Sequence, residues 1–209
     1  MVNTERAKVA KVVKPVVAPV VNNVIIEYGE KMFEALLNKH RHLYLYGNIT
    51  SDSSEKLNKK LVAMAIDKPN TPIVLEINSG GGGCIAGLSI IDTMASIPCP
   101  IYTVVTGYAA SMATFISIAG TKRYMTPNAY WMAHPISSMK GDYIGFLKDS
   151  MEWLNDLEKT CLNMYSKKTN IPKALIEKCR RGEVWLNAKQ CLKYNVVDEL
   201  YKKQLIVKG

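Results

Sequence analysis

The chain has 209 residues, 48% of them hydrophobic, with a formal net charge of +9. That length and apolar share suit one folded domain with a substantial core and exclude a disordered chain. No uninterrupted apolar stretch approaches the roughly 20 residues of a membrane-crossing helix, and the lysines are dispersed rather than interleaved with aromatics, so the charge reads as a solvated surface and not a nucleic-acid site.

Residues 1–23 include the run Val12-Val-Lys-Pro-Val-Val-Ala-Pro-Val-Val21. Its prolines deny it a regular helix, so this stretch is expected to be an arm ordered only by something that holds it. The apolar part, Val9 to Val21, is interrupted by Lys11, Lys14, Pro15 and Pro19 and lacks a signal-peptide core and cleavage site. The folded domain is expected over 24–209. Met32, Phe33, Leu36 and Leu37 have helical spacing within 29–39. A strand follows from His42 to Gly47. Thr50 to Ser53 offer caps for a helix from Ser54 to Ile66, and Pro69 to Pro72 make a turn. Next come a strand, Ile73 to Ile77, a glycine turn, Asn78-Ser-Gly-Gly-Gly-Gly83, and a helix from Ile85 stopped by Pro98 and Pro100.

Ile101 to Thr106 has the β-branched density of a buried strand, and Ala113 to Gly120 reads as a helix closed by its glycine. Short strands, Arg123 to Thr126 and Ala129 to Ala133, flank Pro127-Asn128. The longest predicted helix spans about 142–168, where Ile144, Leu147, Met151, Leu154, Leu157, Cys161 and Met164 advance in steps of three and four. Asn170-Ile-Pro172 starts another short helix. Glu183 to Leu186, a helix from Ala188 to Tyr194 and a strand from Val196 to Asp198 complete the chain. This alternation predicts an α/β protein with a parallel sheet covered by helices. The five cysteines form no Cys-x-x-Cys pair and no metal spacing with the three histidines, so they read as reduced core thiols in a cytosolic protein without a metal or cofactor.

Ser111 sits at a strand-to-helix corner, where unpaired N–H groups and the positive end of the helix dipole collect. Alone it would be an ordinary helix-start serine. The glycine loop at 78–83 and His134, at the end of the strand Tyr130-Trp-Met-Ala133, change that reading. A donor loop, a hydroxyl and an imidazole at strand ends are the parts acyl transfer needs. His40 and His42 compete as bases but precede a strand in polar surroundings.

In this order the three stretches, Asn78-Ser-Gly-Gly-Gly, Gly107-Tyr-Ala-Ala-Ser-Met112 and His134-Pro135, resemble the Clp protease proteolytic subunits, serine peptidases that partner ATP-driven unfoldases. The resemblance runs from about Gly29 to Tyr201. It implies a crotonase-like superhelix of ββα units with a protruding long helix, the handle that joins two stacked seven-membered rings of a homo-oligomer. It implies Ser111 as nucleophile, His134 as base, and the N–H groups of Gly82 and Met112 as the oxyanion hole, with Gly81 or Gly83 as alternatives in register. Glu183 stands where the family places an aspartate, and Asp198 is the reserve acid. Gly80 replaces the family's proline, and Pro135 follows the histidine directly.

The implied substrate is unfolded polypeptide, fed by a AAA+ unfoldase. No Gly-x4-Gly-Lys-Ser/Thr loop is present, so ATP would be hydrolysed on another chain. The alternatives are a phage-type processing protease acting without an unfoldase, a catalytically silent barrel subunit, and an acyl-CoA enzyme of the crotonase type.

Overall fold

The computed structural model describes residues 31–136 and 144–201. The expected arm, the loop after Ile136 and the first stripe residues of the long helix, Ile144 and Leu147, lie outside what is described of backbone or side chain. The chain divides into two compact units, Met1–Leu36 and Leu37–Gly209. A helix, α1, covers 31–39, and the architecture that follows belongs to the second unit.

In order, the elements are β1 (His42–Ile49), α2 (Ser51–Asp67), β2 (Ile73–Gly82), α3 (Cys84–Ser96), β3 (Ile101–Ala110), α4 (Met112–Ala119), β4 (Lys122–Met125), β5 (Tyr130–Ala133), α5 (Ile144–Lys168), α6 (Lys173–Cys179), β6 (Val184–Asn187), α7 (Ala188–Lys193) and β7 (Glu199–Leu200). They build one mixed α/β sheet. Its main path runs β1-β2-β3-β4-β7 with parallel pairs throughout, while β5 pairs parallel with β3 and antiparallel with β6. Parallel pairing needs crossovers, and the helices between successive strands supply them. Ile73, Val74, Leu75 and Ile77 of β2 are fully buried, as a central strand requires. No described helix is long and apolar enough to cross a membrane.

Local chemistry sets the helix ends. Thr50 caps α2 reciprocally with Ser53. At the other end of α2 the buried guanidinium of Arg41 donates to Met64 O at 2.8 Å, Thr71 O at 3.0 Å and Pro72 O at 3.2 Å. The C-terminal end of a helix carries negative partial charge, which suits a buried cation.

The expected glycine turn is a strand instead. Glycines at 80, 81 and 82 continue β2, with Asn48 paired to Gly81 and Ile49 to Gly82. A Cβ at Gly82 would lie 2.3 Å from Ile49 O, so only glycine lets the two backbones approach that closely. Other boundaries differ from expectation as well. β3 runs four residues past Thr106, through Gly107 at φ 75°, because Ser79 and β5 both pair with its end. Pro172 is the cap of α6 rather than its first residue. The last strand is Glu199–Leu200, because the N–H groups of Val196 and Val197 both turn back to Cys191 O.

α5 forms where its stripe predicts. Leu157, Cys161 and Tyr165 are buried in its second half, whereas Met151 and Trp153 in the first half are exposed. The cysteines are all free, and Cys99, Cys161, Cys179 and Cys191 are buried. Burial pushes the thiols of Cys161 and Cys191 up to about 12 and that of Cys179 to about 11, so they stay protonated and unreactive near neutral pH.

Candidate active site

The strand ends converge as the sheet topology dictates. β2 ends at Gly82, β3 ends immediately before Ser111, and β5 ends immediately before His134. Ser111 donates its backbone N–H to Met132 O at 2.9 Å, which fastens the corner to β5. Gly82, Ser111, Met112 and His134 line one cavity of about 70 Å³ at this edge of the sheet. Ligands of open α/β sheets bind outside the carboxyl ends of their strands, as this cavity does.

Ser111 has φ 53° and ψ −127°, a conformation that L residues rarely adopt and that marks strain held by its surroundings. Two contacts enforce it. The first turn of α4 closes on the corner, Thr114 N donating to Ser111 O at 3.0 Å and Thr114 Oγ1 donating to the same oxygen. The hydroxyl of Tyr165, 2.7 Å from Thr114 Oγ1, completes the chain, and burial pushes that phenol well above its ordinary range, so it remains a donor. From the other side, Gly81 lies so near that a Cβ there would sit 2.6 Å from Ser111 Cβ and 2.8 Å from Met112 N.

The glycines divide by what their N–H groups do. Gly81 N donates to Ser79 Oγ at 3.1 Å and Gly83 N donates to Ile49 O at 2.8 Å. Of the three, Gly82 lines the cavity. Met112, the first residue of α4, presents an N–H that a helix start leaves without an intrahelical partner. The floor is apolar: Phe115 stacks on Tyr165 with centroids 4.4 Å apart, and Cys161 and Leu162 lie beside them. Glu158, at the rim, is ion-paired with Arg180 at 2.9 Å.

His134 is half-buried in this cavity. Among the described residues, no hydrogen bond joins it to Ser111 or to Glu183; Glu183 accepts instead from Trp185 Nε1 at 2.8 Å. Ala133 opposes Val184 in the last pair of β5 and β6, so His134 and Glu183 flank the same end of that ladder. The reserve acid, Asp198, bonds Arg123 through both oxygens, at 2.5 Å to Nη2 and 2.8 Å to the backbone N. The competing histidines are elsewhere. His42 begins β1, the far end of that strand from the cavity, and contacts Glu76 at 3.1 Å. His40 is exposed in the preceding turn.

Sequence reasoning missed Trp185, Thr114 and Tyr165. Thr114, three residues after the serine, is the one whose sequence position could have pointed to its contact with the corner. Tyr165 is 51 residues away and leaves no local sign.

A sequence model of the family described as Clp protease matches residues 27–204. The chain is 31% identical over 180 residues to the ATP-dependent Clp protease proteolytic subunit 1 of Leifsonia xyli subsp. xyli, covering 85% of this chain and 91% of that protein. It is 33% identical over 165 residues to the ATP-dependent Clp protease proteolytic subunit of Chloranthus spicatus, covering 78% and 82% respectively. It is 29% identical over 177 residues to the proteolytic subunit 2 of Treponema denticola, covering 82% and 88%. With most of its length matched by the family and by these relatives, and the strand-end cavity where the expected motifs meet, the chain belongs to the Clp protease family.

Proposed function

We propose that the protein is a serine endopeptidase cutting unfolded polypeptides in the cytoplasm, inside a ring-shaped homo-oligomer that a AAA+ unfoldase feeds. The carrying observation is Ser111, strained at a strand-to-helix corner, in one cavity with His134, Gly82 and Met112.

In this reading His134 takes the Ser111 Oγ proton as the oxygen attacks the substrate carbonyl, and returns it to the departing amine. The N–H groups of Gly82 and Met112 bind the oxyanion. Gly82 is favoured over its neighbours because their N–H groups are already engaged. Water then repeats the sequence on the acyl-enzyme. Glu183 would accept the other imidazole N–H and hold its tautomer. The apolar floor of Phe115, Cys161 and Leu162 suits an apolar side chain beside the scissile bond.

The overall architecture suits a crotonase-like superhelix of ββα units. The exposed Met151 and Trp153 suit a handle helix whose first half is covered by another copy, as two stacked seven-membered rings would do. The relatives are named as ATP-dependent, which supports the unfoldase partnership. Free, buried thiols accord with a reducing compartment.

The test is labelling by a fluorophosphonate. The assembled protein is expected to react and Ser111→Ala not to; an unlabelled wild type sinks the proposal. Gly81→Ala is expected to displace the serine, because the added Cβ would meet backbone atoms and Ser111 Cβ within 2.8 Å. A misplacement of that order should lower peptide turnover about 100-fold, read against circular dichroism that reports an intact fold.

One observation favours a second reading, a catalytically silent subunit: His134 bonds neither Ser111 nor Glu183. Homogeneous assembled protein that turns over no peptide would select it.

A further inference from the structure

The face that carries His134 also carries a competitor for its acid. β5 and β6 pair with Tyr130 opposite Asn187, Met132 opposite Trp185 and Ala133 opposite Val184, and His134 and Glu183 are the first residues beyond that last pair. The imidazole and the carboxylate therefore leave the same end of the ladder. Glu183 immediately precedes β6, two residues before Trp185. The indole is half exposed and held edge-on to Tyr130, with centroids 6.5 Å apart and planes at 73°. From there its N–H donates to Glu183 Oε2 at 2.8 Å. An indole N–H can only donate, so it takes the same kind of acceptor that an imidazole N–H would use.

We propose that Trp185 is a positioning residue that holds the Glu183 carboxylate away from His134, so that the acid joins the imidazole only when the indole bond breaks. The inference rests on the reading of Glu183 as the third member of the site. Its logic is a competition between two donors for one charged acceptor, in which the bond made in this structure withdraws the acid from the base. Orientation of the imidazole is then a second step after folding, set by which donor wins.

Trp185→Phe keeps an aromatic ring against Tyr130 and removes the N–H. On a short peptide, kcat is expected to rise about fivefold with KM unchanged, the scale of releasing one exposed hydrogen bond to a charged group. In a Glu183→Ala background the same substitution is expected to leave kcat where Glu183→Ala alone put it. A fall or no change in kcat for Trp185→Phe, or an equal rise in the Glu183→Ala background, overturns the inference. The parent reading fails separately: if Glu183→Ala alone keeps wild-type kcat, Glu183 is not the acid, whatever Trp185 does.

Should Trp185→Phe not fold, the wild type still decides. The chain has three tryptophans, so each indole N–H signal of 15N-labelled protein can be followed. The Trp185 signal, identified by its response to Glu183→Ala, is expected to shift the same way when a fluorophosphonate occupies Ser111. A signal that stays in place on labelling overturns the inference.

Discussion

Replacing Ser111 by alanine is expected to lower peptide turnover by about 10⁶-fold, and His134→Ala by nearly as much, as for nucleophile and base that act as a unit. The double variant should lose little more than either alone. An unassisted hydroxyl is a poor nucleophile near neutral pH, so removing the base wastes the serine, and removing the serine leaves the base nothing to deprotonate. What survives should come from the oxyanion donors and substrate binding, on the order of 10³-fold over water. Steady-state kinetics on a fluorogenic peptide measures all three. Loss factors that multiply in the double variant would mean that the two side chains work apart, and the peptidase reading would go with them. Stability offers a second readout. Ser111 sits at φ 53° and ψ −127°, which costs any residue with a Cβ about 1–2 kcal/mol. Ser111→Gly should therefore melt above Ser111→Ala while both are inactive, a sign that the corner is strained for placement rather than for folding.

How much of this was legible depends on the range of the forces involved. Helices α2 and α5 follow from periodicity and caps that lie within a few residues of each other, and they stand where spacing puts them. Ser111 and His134 could be found because each ends an apolar run, and a run's end is a local property. The glycines at 80–82 were misread as a turn because composition cannot say whether a permissive backbone bends or runs extended beside Ile49. Gly107, Ala109 and Ala110, near the end of β3, carry little strand preference of their own, and the strand runs on because β5 pairs with Tyr108 to Ala110. Asn187 and Gln190 form a capping box at the start of α7 that a reading three residues ahead would have caught. The partners of Glu183 and Asp198 were beyond reach for another reason. Either acid is a sensible third member of the site on chain position alone, and only side-chain geometry says that one faces an indole and the other an arginine.

That arginine carries the second large effect. Arg123 donates to Asp198 at Nε and Nη2, to Lys168 O at 2.8 Å, to Asn195 O at 2.9 Å and to Asn195 Oδ1 at 3.1 Å. One guanidinium thus joins β4, the C-terminal end of α5 and the segment before β7. The side chains of Arg123 and Asp198 are 11% and 23% exposed. Asp198→Ala would leave a nearly buried cation without its counter-charge, which costs about 3–5 kcal/mol, measured as a fall in the urea midpoint at neutral pH. The acid limb should change too. Burial pushes the Asp198 carboxyl up, but hydrogen bonds and charge from Arg123 outweigh it and hold the group below the ordinary carboxylate range. A group depressed in the folded state stabilises at pH values above its unfolded pKa, and that stability drains as pH falls through the folded value. Wild type should therefore lose this contribution below about pH 4, whereas Asp198→Ala has already lost it and shows a shallower decline. Some slope remains in the variant, because Glu76 is also held down, chiefly by His42 against burial, with help from Tyr46 and Thr106. If Asp198 instead oriented His134, turnover of the folded variant would drop about 10⁴-fold, as when the acid of such a site is neutralised. The geometry expects turnover per folded molecule to stay near wild type, so one substitution separates an acid that holds the scaffold from one that serves the reaction.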